Sequence, residues 1–328
     1  MTSFSRGFAE ISPLLREVFP GETGIRVTPL RSVYLAVAAA GNVVIKPLHT
    51  GAARAFLTAK LLAAQRRCPV LPEGVHTGKT PYYRGKSGNR YLITRQIPGR
   101  EADYRNLEDL VTAIRSMREF HHCGRSLLRE EPSLWRMIRF LPDRMWERAF
   151  REMEQCRKAA CRTQDAWSKE YLKLWHYYSR QGWEAIRGLP AREENGESVI
   201  CYHDWAFHNL IIDRGQGYLI DFDLMVVDHP VHDRANLISR YLRLHDWSVE
   251  ALMKVLWNFD RFYPWKKGEI QRLRSYLNFP YDYWMLGRQF FLEKQPRSSR
   301  YFNEQWRRKV APYRERERVL QLLERIEK

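Results

Sequence analysis

No apolar run in the 328-residue chain approaches the roughly 18–20 residues that a membrane-crossing helix needs, so no span is expected. The first residues, MTSFSRGFAEISPLLREVF, carry charges throughout and lack the apolar stretch of a signal peptide. The chain is therefore read as starting in the reducing cytosol. Cysteine is scarce: Cys68, Cys123, Cys156, Cys161 and Cys201 form an odd set without zinc spacing, which leaves buried free thiols as the expectation. No stretch of Pro, Gly, Ser or like charge is long enough for a disordered tail, and no internal repeat is present, so order nearly end to end is expected. Acids are outnumbered, 38 against 55 Lys and Arg, giving a net charge of +17 and a field that attracts anions. Nucleic acid, nucleotide phosphates and a merely solvated surface all fit that field. The basic residues are interleaved with acids and not gathered beside an RNA- or DNA-binding motif, so nucleic acid is not expected as a partner.

Aromatic residues are plentiful (11 Trp, 17 Tyr, 15 Phe) and spread throughout, enough for the core of two domains or of one two-lobed enzyme. Residues 33–48, VYLAVAAAGNVVIKPL, are two apolar runs joined at Gly41-Asn42, the pattern of a β-hairpin with Lys46 near the end of its second strand. An Ala- and Leu-rich helix is expected over 51–67, ending before Pro69, and a strand over Arg90–Arg95. Gln96-Ile97-Pro98-Gly99 breaks the pattern and is read as a hinge between lobes. Leu107, Leu110, Val111, Ile114, Met117 and Phe120 recur at helical spacing, in a helix expected to end near Gly124. Residues 125–195 read as wholly helical, with Trp167, Tyr171, Leu174 and Tyr178 as one aromatic core stripe or, alternatively, part of an acceptor pocket. Three short strands follow, at 199–202, 210–212 and 218–220. The remainder is helical, ending on the apolar side Val319, Leu320, Leu323 and Ile326.

The stretch HDWAFHNLIIDRGQGYLIDFD, His203 to Asp223, sets Asp204, Asn209 and Asp221 at the ends of those strands. An acid, an Asn five residues on, a hairpin and a second acid meet the needs of phosphoryl transfer from ATP: one carboxylate orients and deprotonates a hydroxyl, while an amide oxygen and a second carboxylate hold magnesium. Each element alone is usually a turn former or cap. Their combination with a strand lysine, Lys46, and a Pro-Gly hinge is what points to a kinase-like site. His203 and His208 read as structural, with phosphate contact as the alternative, and Asp223 is open between metal ligand and strand-end acceptor. Asp228, His229, His232 and Asp233 crowd together, but without a second cluster zinc is not expected.

These segments, with VVIKPL, YLITRQIPGREA, SMREFHHCG, CYHDWAFHNLII and YLIDFDLMVVDHPVHDRANLI, resemble the aminoglycoside phosphotransferase and choline kinase superfamily, and within it the CotS-type spore coat proteins of endospore-forming bacteria. The resemblance covers about residues 30–300. It implies an α+β, bilobal, protein-kinase-like fold: a small N-terminal β-sheet lobe over 1–97, and a large mainly helical C-terminal lobe over 98–328 carrying the 125–195 helical insert as a candidate acceptor site. It further implies ATP and Mg2+ as cofactors, Lys46 on the phosphates, Gln96 and Ile97 against the nucleotide, Asp204 as catalytic base, Asn209 and Asp221 as metal ligands, and a structural role for Asp233. An ATP-dependent phosphotransferase acting on an unidentified alcohol acceptor, small molecule or coat protein, is the implied activity. Its setting would be the cytoplasm of a sporulating mother cell, with deposition in the spore coat.

The long helical span between Gly99 and Asp204 leaves room to enclose a small acceptor, and the short interval from Asp221 to Asp233, without Ala-Pro-Glu, leaves none for a phosphorylatable activation segment. The chain also departs from the family pattern. No acid lies between Lys46 and Glu73, so the following helix supplies no glutamate to the lysine; no glycine lies between Gly24 and Gly41; and Tyr202 stands where the family has histidine. A nucleotide-binding pseudokinase that serves as a coat scaffold is the alternative these departures keep open.

Overall fold

The computed structural model describes residues 3–30, 32–48, 51–75, 82–85, 88–163, 165–189 and 198–327. The chain divides into two compact units, Met1–Arg139 with Val199–Val227, and Phe140–Ser198 with Asp228–Lys328.

The first unit opens with helix α1 (Ser3–Val18) and strands β1 (Arg26–Leu30), β2 (Val33–Ala38) and β3 (Gly41–Leu48). With β4 (Tyr83–Arg84) and β5 (Arg90–Arg95) these strands form a five-stranded sheet ordered β1-β2-β3-β5-β4. Neither α1 nor β1 was expected from the sequence pattern. Ile11, Leu14 and Leu15 of α1, and Phe19 just beyond it, pack with Val43, Ile45 and Ile93, all buried. Because successive strand residues point to opposite faces, burying Val43 and Ile45 sends Lys46 to the other face of β3. The hairpin turn falls at Ala39-Ala40, not at Gly41-Asn42 as expected: the Glu22 carboxylate accepts from both amides at 2.9 Å, and Asn42 is already paired with Val37.

Helix α2 (Ala52–Ala63) ends in a 3-10 turn at Gln65–Arg67, and β6 (Arg100–Glu101) follows the break after β5. Helix α3 (Leu107–Glu130), capped by the Asn106 side chain, runs on past Gly124, where the sequence suggested a stop. The reason is packing. A Cβ on Gly124 would lie 2.8 Å from Cβ of Ile200, so the glycine lets the helix press against strand β7 (Val199–Cys201). Helix α4 (Ser133–Met137), strands β8 (Leu210–Asp213) and β9 (Gln216–Leu219), paired as β6-β8-β9, and β10 (Val226–Asp228), paired with β7, complete the elements.

The second unit is helical: α5 (Pro142–Thr163), α6 (Ala166–Lys173), α7 (Trp175–Arg187), α8 (Pro230–Leu244), α9 (Val249–Phe262), α10 (Glu269–Asn278), α11 (Tyr281–Gly287) running into a π-turn, α12 (Ser299–Lys309) and α13 (Tyr313–Glu327). Residues 190–195, the end of the expected helical span, lie outside the described residues. The aromatic stripe is core, although the chain breaks at Leu174 between α6 and α7: Trp167, Tyr171 and Tyr178 are buried, and the Tyr171 and Tyr178 rings stack on Tyr283 at 4.2 and 4.6 Å. A Cβ on Gly287 would meet the Tyr171 ring at 2.7 Å, so that glycine makes the stack fit. Buried Arg316 donates to the carbonyls of Leu277, Asn278 and Phe279, satisfying the end of α10. Val319, Leu320 and Leu323 are buried as expected, but Ile326, on the last turn of α13, is exposed.

The expectation of free thiols fails for two of the five cysteines. Cys68, just past the 3-10 turn, and Cys123, in α3, form a disulfide across 55 residues of sequence; Cys156 and Cys201 are buried free thiols and Cys161 is exposed. Closing a loop of that length stabilises a fold by up to about 4 kcal/mol through loss of unfolded-state entropy. Treatment with a thiol reductant is accordingly expected to lower the urea midpoint of the wild-type chain and to leave that of Cys68→Ala/Cys123→Ala unchanged. Equal midpoints for oxidised and reduced wild type would contradict the assignment.

Candidate active site

Gln96-Ile97-Pro98-Gly99, the segment read as a hinge, is tied to the first sheet by backbone and side-chain hydrogen bonds. Gln96 N donates to the Asn42 carbonyl at 3.0 Å, and Asn42 Nδ2 donates to Gln96 Oε1 at 2.8 Å, while Ile97 is half-buried beside them in sequence. Gly99 is required for close approach: a Cβ there would lie 2.5 Å from the Ile212 carbonyl oxygen of β8. Beyond it, Arg100 grips Asp109 of α3 with two donors at 2.6 and 2.8 Å, and Asp103 N donates to the same carboxylate at 2.7 Å. These bonds fix the chain as it leaves the hinge.

The loop between β7 and β8 carries Asp204. Asn209 ends a 3-10 turn (Phe207–Asn209); it is buried, and its Nδ2 donates to Asp204 Oδ2 at 2.8 Å and to the Asp204 carbonyl at 3.2 Å. That donation orients the Asp204 carboxylate and leaves Oδ1 as the acceptor end of the amide. The Asn209 carbonyl in turn accepts from Ile220 N at 3.0 Å, so the residue before Asp221 is tied to the Asp204 loop. Tyr202 has no exposed surface; its hydroxyl donates to the Ile220 carbonyl, and its ring packs edge-on to Phe120, Trp205 and Phe222. Tyr104 completes the frame by donating to the Trp205 carbonyl at 3.0 Å. Of the two, Tyr202 stood out in the sequence only as a departure from the family pattern, and Tyr104 did not stand out. The apolar spacing around them reads only as core.

Lys46 reaches this frame from β3. Its Nζ lies 2.5 Å from Asp221 Oδ1 and 2.9 Å from Asp223 Oδ2, with the lysine side chain only 13% exposed. A cation that far out of water needs paired charge, and two carboxylates from one loop supply it. His203 (φ 67°) and Asp221 (φ 64°) hold left-handed backbone conformations that cost energy for residues other than glycine, and such conformations gather at functional sites. The structure thus brings Lys46, Asp221 and Asp223 together, and Asp204 with Asn209, through one connected set of bonds. His208 sits half-buried against the Phe207 ring. In the second unit, the residues that looked like a metal cluster serve the start of α8: His229 Nδ1 accepts from Val231 N at 3.2 Å, Asp228 bonds His229 N and His232 Nδ1, and Asp233 is buried in the first turn.

The donor set suits magnesium. An amide oxygen and a carboxylate are hard ligands, and this ion needs few protein ligands when it shares phosphate oxygens.

The Arg100 hydrogen bond, more than the opposing desolvation, holds the Asp109 carboxyl below its ordinary range. A lowered carboxyl contributes stability that is complete above the unfolded value, about 4, and is lost as pH falls through the folded one. Arg100→Gln should therefore destabilise at pH 7 and do so progressively less toward pH 3, read as urea midpoints against wild type. A difference independent of pH would contradict the pairing.

Residues 31–267, well over half the chain, match the phosphotransferase enzyme family. Spore coat protein S of Bacillus subtilis (strain 168) is 22% identical over 232 residues, spanning 66% of this chain and 66% of that protein, just under two thirds of its length. Among solved structures, an aminoglycoside phosphotransferase from Alicyclobacillus acidocaldarius has a TM-score of 0.77 at 18% identity, covering 92% of this chain and 91% of that one. A choline/ethanolamine kinase family protein from Mesorhizobium loti has a TM-score of 0.60 at 14% identity, covering 98% of each chain. These likenesses show the fold, an α+β, bilobal, protein-kinase-like one with a small N-terminal sheet lobe and a large mainly helical C-terminal lobe.

Proposed function

Because the chain belongs to the phosphotransferase enzyme family, we propose that it transfers the γ-phosphoryl group of ATP to the hydroxyl of an acceptor, with Asp204, Lys46, Asn209 and Asp221 as its working residues. The observation that carries this reading is the arrangement just described, in which a strand lysine meets Asp221 while Asn209 braces Asp204. Asp204 accepts the hydroxyl proton as the acceptor oxygen bonds to phosphorus; the bond from phosphorus to the bridging oxygen breaks and ADP departs. Lys46 moves from carboxylate to phosphate, Gln96 and Ile97 lie against the nucleotide base, and Asn209 and Asp221 hold magnesium. Magnesium held there by Asn209 and Asp221 would offset the negative charge of the phosphates. The acceptor is an alcohol, on a small molecule or a coat protein, selected by the helices of 125–195.

Three observations favour a second reading, that of a nucleotide-binding coat scaffold without turnover. Helix α2 holds no acid that could pair with Lys46. The likeness to Spore coat protein S supports a mother-cell origin, and the Cys68–Cys123 disulfide suits deposition outside the reducing cytosol better than residence within it.

Single-turnover assays with γ-labelled ATP and a panel of alcohols and coat proteins decide between them. Transfer that falls by about 10²–10⁴-fold in Asp204→Asn, while magnesium-dependent ATP binding persists, is the expected result. ATP binding with no transfer to any acceptor would favour the scaffold, and transfer unaffected by Asp204→Asn would remove Asp204 from the mechanism.

A further inference from the structure

Lys46 has lost the partner that a kinase strand lysine ordinarily takes from the next helix. Residues 47–72 contain no Asp or Glu, so neither α2 nor its 3-10 extension can supply one. The lysine is nevertheless held, by Asp221 at 2.5 Å and Asp223 at 2.9 Å, its ion-pair partners among the described residues. Under the proposed function, on which this inference rests, Asp221 is committed to the metal and cannot also orient the lysine. We infer that Asp223 is the positioning residue for Lys46, taking over from the loop the task that the helix has given up.

The loop is suited to that task. Phe222, between the two acids, is buried and packs edge-on to the Tyr202 ring at 6.0 Å, anchoring the backbone from which Asp223 projects. Ile220 is pinned on both sides, its amide to the Asn209 carbonyl and its carbonyl to the Tyr202 hydroxyl. Upstream, Leu219 N donates to the Val70 carbonyl at 2.8 Å, two residues from the disulfide-bonded Cys68. Asp223 is therefore set by a braced backbone, whereas a helix partner would orient the lysine only when the helix is docked. The division of labour is also electrostatic. One lysine against two carboxylates carries a net negative charge that attracts the metal, and once Asp221 is engaged, Lys46 and Asp223 remain as a neutral pair. A hydrogen bond from a charged donor keeps the ammonium aimed while it meets phosphate.

The test uses the 328-residue chain and a fluorescent non-hydrolysable ATP analogue, titrated at fixed magnesium and then, at fixed analogue, against magnesium. Asp223→Asn should weaken binding by about tenfold, and Asp223→Glu should recover part of the loss by returning a carboxylate. The loss should shrink to near nothing in a Lys46→Met background, because the two residues act through one interaction. The magnesium concentration giving half-maximal binding should stay as in wild type. Additive effects of Asp223→Asn and Lys46→Met, or a raised magnesium requirement as the sole change, would overturn the positioning role and make Asp223 a metal ligand. Absence of any analogue binding by the unchanged chain would overturn this assignment together with the reading beneath it.

Discussion

The ion pair between Lys46 and Asp221 joins two segments 175 residues apart in sequence, and the rest of the site is arranged so that it can form. On one side, the two-residue period of β3 buries Val43 and Ile45 against α1 and thereby turns Lys46 to the other face. On the other, Asp221 emerges from β9 with a left-handed backbone, held in place by the bonds that Asn209 and Tyr202 make to Ile220. Removing both Asp221 and Asp223 would leave the largely buried Lys46 ammonium without a counterpart, which is costlier than never having placed it there. The pair therefore acts as a joint as well as a piece of chemistry.

The same economy runs through the bracing residues. Asn209 orients Asp204 with its side chain and fixes the Asp221 strand with its carbonyl, so one buried residue couples the proposed base to the proposed metal site. Tyr202 does a comparable job from the β7 side, its hydroxyl donating across the loop to the Ile220 carbonyl while its ring is set into the core. Gly99 and Gly124 permit two close approaches, of the hinge to β8 and of α3 to β7, which keep these loops in register.

Much of this was legible in sequence. Short apolar runs bounded by turn and break residues gave β3 and β5 within a residue or two, and the run from His203 to Asp223 contained every acid and amide that the structure gathers at the site. What escaped prediction was whatever depends on distant neighbours. A glycine normally ends a helix, yet Gly124 lies inside one because Ile200 leaves no room for a side chain. Cys68 and Cys123 are too far apart in sequence for spacing to pair them. The stripe from Trp167 to Tyr178 kept its burial while its helix broke at Leu174, since periodicity reports which face is buried better than where the axis bends. Asp223 reads equally well from sequence as metal ligand or strand-end acceptor, and only the structure sets Lys46 beside it.

The chain belongs to the phosphotransferase enzyme family and has a kinase-like fold, and its α2 carries no acid. The account rests on Lys46 and Asp221 exchanging each other for a metal-bound triphosphate. A crystal structure of the chain with a non-hydrolysable ATP analogue and magnesium examines that exchange directly. The account predicts phosphate oxygens on Lys46, the metal on Asn209 and Asp221, and the base beside Gln96 and Ile97. Nucleotide bound elsewhere, or phosphates that leave Lys46 still paired with Asp221, would contradict it.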